Sequence, residues 1–248
     1  MFYSFNNTFL ENELSGNNWD FLIQPLSLEY CIQNIDESNT VNGKPIYYWV
    51  NQHNKEVPAD AGFVAAVNST EIIVRNLNLT NNYSSVLFVS TNSSVIEHVI
   101  ASNSGKGIGL ESSHNNIVRN NQLSYMYWDG ISAHKSGSNT IINNDVSSCS
   151  ENGIKLNRCS NNIVRNNTAI SNNRQGIVLD MYCSNNIVSE NLVNSNYGGV
   201  VLDDYGEKNN ISDNLITLCK WGGIVLSDGC HSNIVTGNKI QYNMYGIW

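Results

Sequence analysis

Apolar residues in this chain come in short clusters separated by Gly, Asn and Ser. A piece like "GIVL" is followed by one like "NNIV" and then by a third such as "TAI" or "NLV". Within a piece the apolar positions alternate, as in Ile177 and Leu179 or Val200 and Leu202. A period of two marks a strand, and nothing shows the i, i+3, i+4 spacing of a helix. The pieces recur with a fixed period. A Gly preceding an aliphatic pair falls at Gly107, Gly130, Gly153, Gly176, Gly199, Gly223 and Gly246, at intervals of 23, 23, 23, 23, 24 and 23. The Ile of the "NNIV"-like piece gives a second anchor at Ile117, Ile141, Ile163, Ile187, Ile211 and Ile234.

Three short strands and three turns per repeat predict one triangular coil. Stacked coils pair strand to strand, in parallel, about 4.8 Å apart, and bury their inward Ile, Val and Leu against the coils on either side. The expected fold is all-β: a right-handed parallel β-helix of about ten coils of 22–24 residues. A leucine-rich repeat of similar length would need Leu-x-x-Leu-x-Leu, which is absent. The expectation is one domain over residues 1–248, with regular coils over 62–248. Near the start, "NNTFLENEL" resembles a coil and "DFLI" (Asp20 to Ile23) its next strand. Residues 38–61 break the period and predict a protruding loop or hairpin around Asn42-Gly43, packed by Tyr47, Tyr48 and Trp49. The chain stops at "YGIW" in mid-coil. Such an open rung implies continuation in a longer protein or end-to-end pairing with another chain.

Composition sharpens this picture. Asn occurs 43 times while charged residues make up only 14%. Asn tolerates left-handed backbone and bonds its own turn, and stacked Asn amides can form ladders. The net charge of −8 with no basic run argues against a nucleic-acid partner. No apolar run is long enough to span a membrane, and the first residues lack a signal-peptide pattern.

The units "SNNIVRNN", "SNNIVSEN" and "GIVL", together with "NTVNGKPIYYWVN", resemble NosD-type proteins, the carbohydrate-binding and sugar-hydrolysis (CASH) class of parallel β-helices known from bacterial and archaeal surfaces. The resemblance covers nearly the whole chain. It implies an extracellular, cell-surface or periplasmic location and, for NosD itself, copper-site assembly. Copper needs converging His, Met or Cys. His114 and His231 share a slot but lie five coils apart, roughly 24 Å at the strand spacing, and cannot share a metal.

Aligned on the Gly anchor, one slot holds Glu111, His134, Asn157, Asp180, Asp203 and Ser227. This polar stripe runs up one edge of the predicted solenoid. Asp204 follows it, Tyr182 and Tyr205 stack beyond it, and Trp128, Arg174, Tyr197 and Trp221 line the other side of the strand. Aromatic faces suit sugar rings, and carboxylates bind hydroxyls or Ca²⁺. The glycan-binding candidates are therefore Trp128, Tyr182, Tyr197, Asp203, Tyr205 and Trp221, and the Ca²⁺ candidates Asp180, Asp203 and Asp204. Carboxylates on neighbouring rungs, about 5 Å apart, approach the spacing of retaining glycosidases, which nominates Asp180 and Asp203 as a catalytic pair. Turns between strands also favour Asp and Asn for purely conformational reasons. Cys159 and Cys183 share a slot in adjacent coils, within disulfide reach if their Cβ vectors converge. The leading expectation is a non-catalytic extracellular β-helix, glycan-binding or structural, without a required cofactor. A polysaccharide hydrolase, lyase or epimerase using the Asp180/Asp203 strip, and a NosD-type copper factor, are the alternatives.

Overall fold

The computed structural model describes residues 3–248. Regular coils carry three strands each, as in Lys106–Glu111, Ile117–Arg119 and Gln122–Ser124. Like strands of successive coils pair in parallel and build three sheets of 12, 9 and 8 strands. Four inward columns fill the interior. Ile108, Ile131, Ile154, Ile177, Val200 and Ile224 form one in the 12-stranded sheet, and Leu110, Ala133, Leu156, Leu179 and Leu202 a second. All of these are 2% exposed or less.

The register corrects one anchor. Val118, Ile141, Val164, Val188, Ile211 and Val235 are the true column in the 9-stranded sheet. Ile117, Ile163, Ile187 and Ile234 precede that column and point outward, with Ile187 and Ile234 exposed. Two adjacent aliphatics look alike in sequence, and a one-residue slip exchanges the faces of the sheet.

Asn is abundant because the corners of the triangle use it in ladders and in left-handed turn positions. Asn116, Asn139, Asn162, Asn186, Asn209 and Asn233 form one ladder, in which the backbone N–H of each donates to the Oδ1 of the next at 2.9–3.0 Å. Their Nδ2 groups donate to carbonyls of the preceding coil, as Asn162 does to Ser136 O at 3.1 Å. Asn121, Asn144, Asn167, Asn191, Asn214 and Asn238 repeat the device at a second corner. At the third, the rungs are Cys149, Asn172, Asn196, Cys219 and Asn243, so two cysteines stand in the Asn series. The ladders satisfy backbone groups that the turns would otherwise bury unpaired. Neighbouring turn residues, including Asn115, Asn161 and Asn185, take positive φ, which Asn tolerates.

Cys159 and Cys183 do share one slot, and all six cysteines are free. Parallel stacking aims both side chains the same way. Cys183 Sγ therefore accepts the Cys159 backbone N–H at 3.4 Å, as Ser136 Oγ accepts the Ser113 N–H two coils earlier. The thiols are rungs of a ladder and do not bridge.

The N-terminal region departs from expectation. Residues 38–61 do not protrude. Thr40–Val41 and Lys44–Val50 form an antiparallel turn at Asn42-Gly43, and Lys44–Val50 then pairs in parallel with Phe63–Val67 as a rung of the 12-stranded sheet. Asp20 to Ile23 is not a strand. Phe21 and Ile23 lie on the outer face of the first rungs, in a second core with Tyr48, Phe63, Ala65 and Leu87. This covered stretch ends near Leu87, and the rest of the outer face is open.

Candidate functional site

Three outward columns on the 12-stranded sheet make the surface beyond that cover. The central one reads Leu87, Gly109, Ser132, Lys155, Val178, Val201 and Val225. Small side chains at Gly109 and Ser132 lower the floor, and Gln24, Pro25 and Leu26 of the covering segment form a wall. The result is a groove of about 410 Å³, into which Tyr83, Lys106, Glu111, Asp129, His134, Lys155 and Asn157 also face.

The polar stripe runs through this groove. His134 Nδ1 lies 2.8 and 2.9 Å from the two Glu111 carboxylate oxygens. Burial pushes the Glu111 carboxyl above the usual carboxylate range, against the lowering pull of His134, Lys135 and Lys106. A carboxylate accepting from Nδ1–H fixes the imidazole ring and leaves Nε2 as the free nitrogen. Two rungs beyond His134, Asp180 Oδ2 takes Lys155 Nζ at 2.9 Å and Asn157 Nδ2 at 2.9 Å. Asp129 is buried and accepts from Asn152 Nδ2 at 2.8 Å. Burial also raises the Tyr83 hydroxyl pKa.

Asp180 and Asp203 stand on adjacent rungs but are engaged in opposite directions. Asp180 is bound to Lys155 and Asn157, while Asp203 Oδ1 accepts from Ser227 Oγ at 2.7 Å. Glu111 and His134 stand lower in the same stripe, with His134 two rungs before Asp180. The sequence held one signal for that pair: a carboxylic acid and an imidazole at consecutive rungs of the same slot. The wall from residues 24–26 and the contribution of Lys155 depended on where the first coil folds back, which the repeat does not encode.

The Ca²⁺ candidates regroup as well. Carboxylate oxygens of Asp203, Asp204 and Asp228 lie within 4.8 Å of one another, and Asp180 is outside this cluster. Burial, then Asp203, Asp180 and Asp228, raises the Asp204 pKa. This is the only group of three or more His, Cys, Asp or Glu ligand atoms that close together among the described residues. Its all-oxygen donors suit a hard cation and not copper.

The aromatic candidates fall into three places. Tyr182 and Tyr205 stack at 5.5 Å with planes 9° apart, and Tyr197 stacks on Trp221 at 6.0 Å. Trp221 also packs against the outward Val178, Val201 and Val225. Trp128 belongs elsewhere, in a cluster with Trp19, Tyr83 and Tyr127 beside the groove.

Several solved structures share this architecture. A mutant of the periplasmic alginate epimerase AlgG superposes with a TM-score of 0.62 at 17% identity over 78% of this chain; the chain spans 54% of that protein. The A-module of the Azotobacter vinelandii mannuronan C-5 epimerase AlgE6 gives 0.61 at 14% identity over 95% of this chain and 68% of that one. The DFA-IIIase of Arthrobacter chlorophenolicus A6 gives 0.50 at 15% identity over 80% of this chain and 60% of that one. At such identities the likeness is one of fold. No curated protein matches the sequence. The model of the right-handed β-helix region matches residues 62–206 and 170–248, together most of the chain. With its parallel three-sheet stack and ladders at the corners, the chain belongs to the right-handed β-helix region family.

Proposed function

We propose that this protein acts on a polysaccharide bearing acidic sugars, which lies along the outer face of the 12-stranded sheet with one unit in the Glu111–His134 groove. The carrying observation is the convergence of that pair with Lys106 and Lys155 in one groove. The lysines would neutralise a sugar carboxylate, which acidifies the C–H beside it. His134 Nε2, oriented by Glu111, would accept that proton. The resulting enolate would either regain a proton on its other face, inverting the carbon, or expel the neighbouring glycosidic oxygen to leave an unsaturated sugar. Tyr83, in the same groove, offers a hydroxyl for the return proton.

Structural neighbours that act on alginate and other carbohydrates support this reading. It implies a location outside the cytoplasm. No helix among the described residues is long and apolar enough to cross a membrane. A second reading, binding without turnover, is favoured by the upper half of the same face. There Val178, Val201 and Val225 are flanked by Tyr197 and Trp221, a surface suited to a sugar polymer.

The test incubates the purified chain with polymannuronate, polyguluronate and polygalacturonate. NMR reads the epimer ratio, and ultraviolet absorbance reads unsaturated product. Turnover is expected, and His134→Ala should lower it by about 10²–10⁴-fold. Tight binding with no product from any polymer would establish the second reading. No binding to any of the three would overturn both.

A further inference from the structure

Beside the groove, across the Trp128 cluster, lies a second hollow of about 290 Å³ at the corner between the 8- and 12-stranded sheets. Trp19, Tyr125 and Tyr127 contribute its rings, and Asn103, Ser148 and Ser150 its polar edges. We propose that this hollow is a binding site for a neutral pyranose unit, distinct from the acidic-sugar groove.

Tyr125 is the first reason. Its turn slot has positive φ in coil after coil, at Asn103, Ser148, Ser171, Ser195, Leu218 and Tyr242 as well, and Tyr125 is the one of its rings that borders the hollow. Small polar residues suit that conformation, and a bulky ring there is a backbone outlier. Tyr125 is 65% exposed and stacks on no other ring, so packing does not account for it.

The neighbouring chemistry is the second reason. Trp19 meets Tyr127 edge-on at 5.3 Å, and Trp128 at 4.7 Å holds it from behind. Tyr127 is 59% exposed, so the hollow has apolar ring surface already fixed in place. The side chains of Asn103, Ser148 and Ser150 make no hydrogen bond within the described structure, and their donors and acceptors remain free for hydroxyls. No Lys, Arg, His, Asp or Glu lines the hollow. Nothing there would balance a sugar carboxylate, which selects a neutral ring.

Titration calorimetry with cellotetraose, mannotetraose and maltotetraose tests the site. At least one of the three should bind saturably, and Tyr125→Ala should weaken it at least tenfold without changing thermal stability. Ser148→Ala should weaken it less, and Glu111→Gln not at all. Turnover or binding of uronate polymers should be unaffected by Tyr125→Ala, so failure of the groove reading and of this one are separable. No saturable binding up to about 10 mM sugar, or binding indifferent to both Tyr125→Ala and Ser148→Ala, would overturn the proposal.

Discussion

Glu111 joins the two properties that a working acid–base residue needs, partial burial and a fixed partner. Because burial raises its folded pKa, Glu111 loses its charge at a pH above the ordinary carboxylate range as acid is added. Activity that depends on the ionised Glu111 holding His134 should therefore fall on the acid side earlier than an unperturbed carboxylate would dictate. A pH–rate profile of Glu111→Gln should be low throughout and lack that limb. For stability the sign is the reverse: a raised carboxylate pKa means the folded state binds the proton more tightly, so this residue's cost to folding is relieved as pH falls through the raised value. Asp204 behaves alike. Asp204→Asn should raise the melting temperature at neutral pH, and the gain should vanish once the medium is acid enough to protonate Asp204 in the parent. At this scale the sequence displayed the stripe but not the contacts made along it. Asp180 and Asp203 drew attention as neighbouring like charges, whereas contacts with Lys155, Asn157 and Ser227 had already engaged them.

The coil is the element, and its integrity depends on positions that carry little apolar area. Asn162 Oδ1 accepts both the N–H and the Nδ2 of Asn139, and its own amide reaches Ser136 O and Asn186 Oδ1. Asn162→Ala strands several buried partners at once and should cost roughly 3 kcal/mol in denaturant unfolding. Asn161→Ala, exposed and one residue away, loses only the tolerance of positive φ and should cost about 1 kcal/mol. The glycine period has a comparable cause. A Cβ on Gly199 would sit 2.1 Å from the Gly223 carbonyl and 2.6 Å from Ile216. Its coil approaches the next too closely for any side chain. Gly199→Ala should destabilise by at least about 1–3 kcal/mol, while Gly246→Ala, with nothing within 4 Å, should be neutral. Coil length, strand number and the role of Asn were all legible from repetition. The face of each "IV" pair was not, because alternation fixes a period of two and leaves its phase open.

Across the whole molecule, contacts run almost entirely between adjacent coils, and so a sequence period translated directly into a fold. The first 60 residues lacked the period. Their path over the outer face follows from Phe21 and Ile23 finding Tyr48, Phe63 and Leu87, a tertiary match with no local signature. That path is what creates the groove wall. The molecule is also acidic, at −8, so an acidic polymer would be held only by the local field of Lys106, Lys135 and Lys155. Binding of uronate polymers should weaken several-fold as salt rises from about 50 to 300 mM, whereas neutral oligosaccharides in the Tyr125 hollow should bind alike at both. Parallel titrations at the two salt concentrations check this.

The groove floor is written one residue per rung: Gly109 and Ser132 open it, and Val178 closes it. Groove length is thereby uncoupled from fold stability, since the outward residue of a rung can change while the inward ladder and core stay intact. Trimming Val178 and Val201 to Ser would extend the trough by a rung at a time, about 4.8 Å per step. A lineage, or a designer, could adjust the length of polymer it grips as one adjusts a ruler, without redrawing the scaffold.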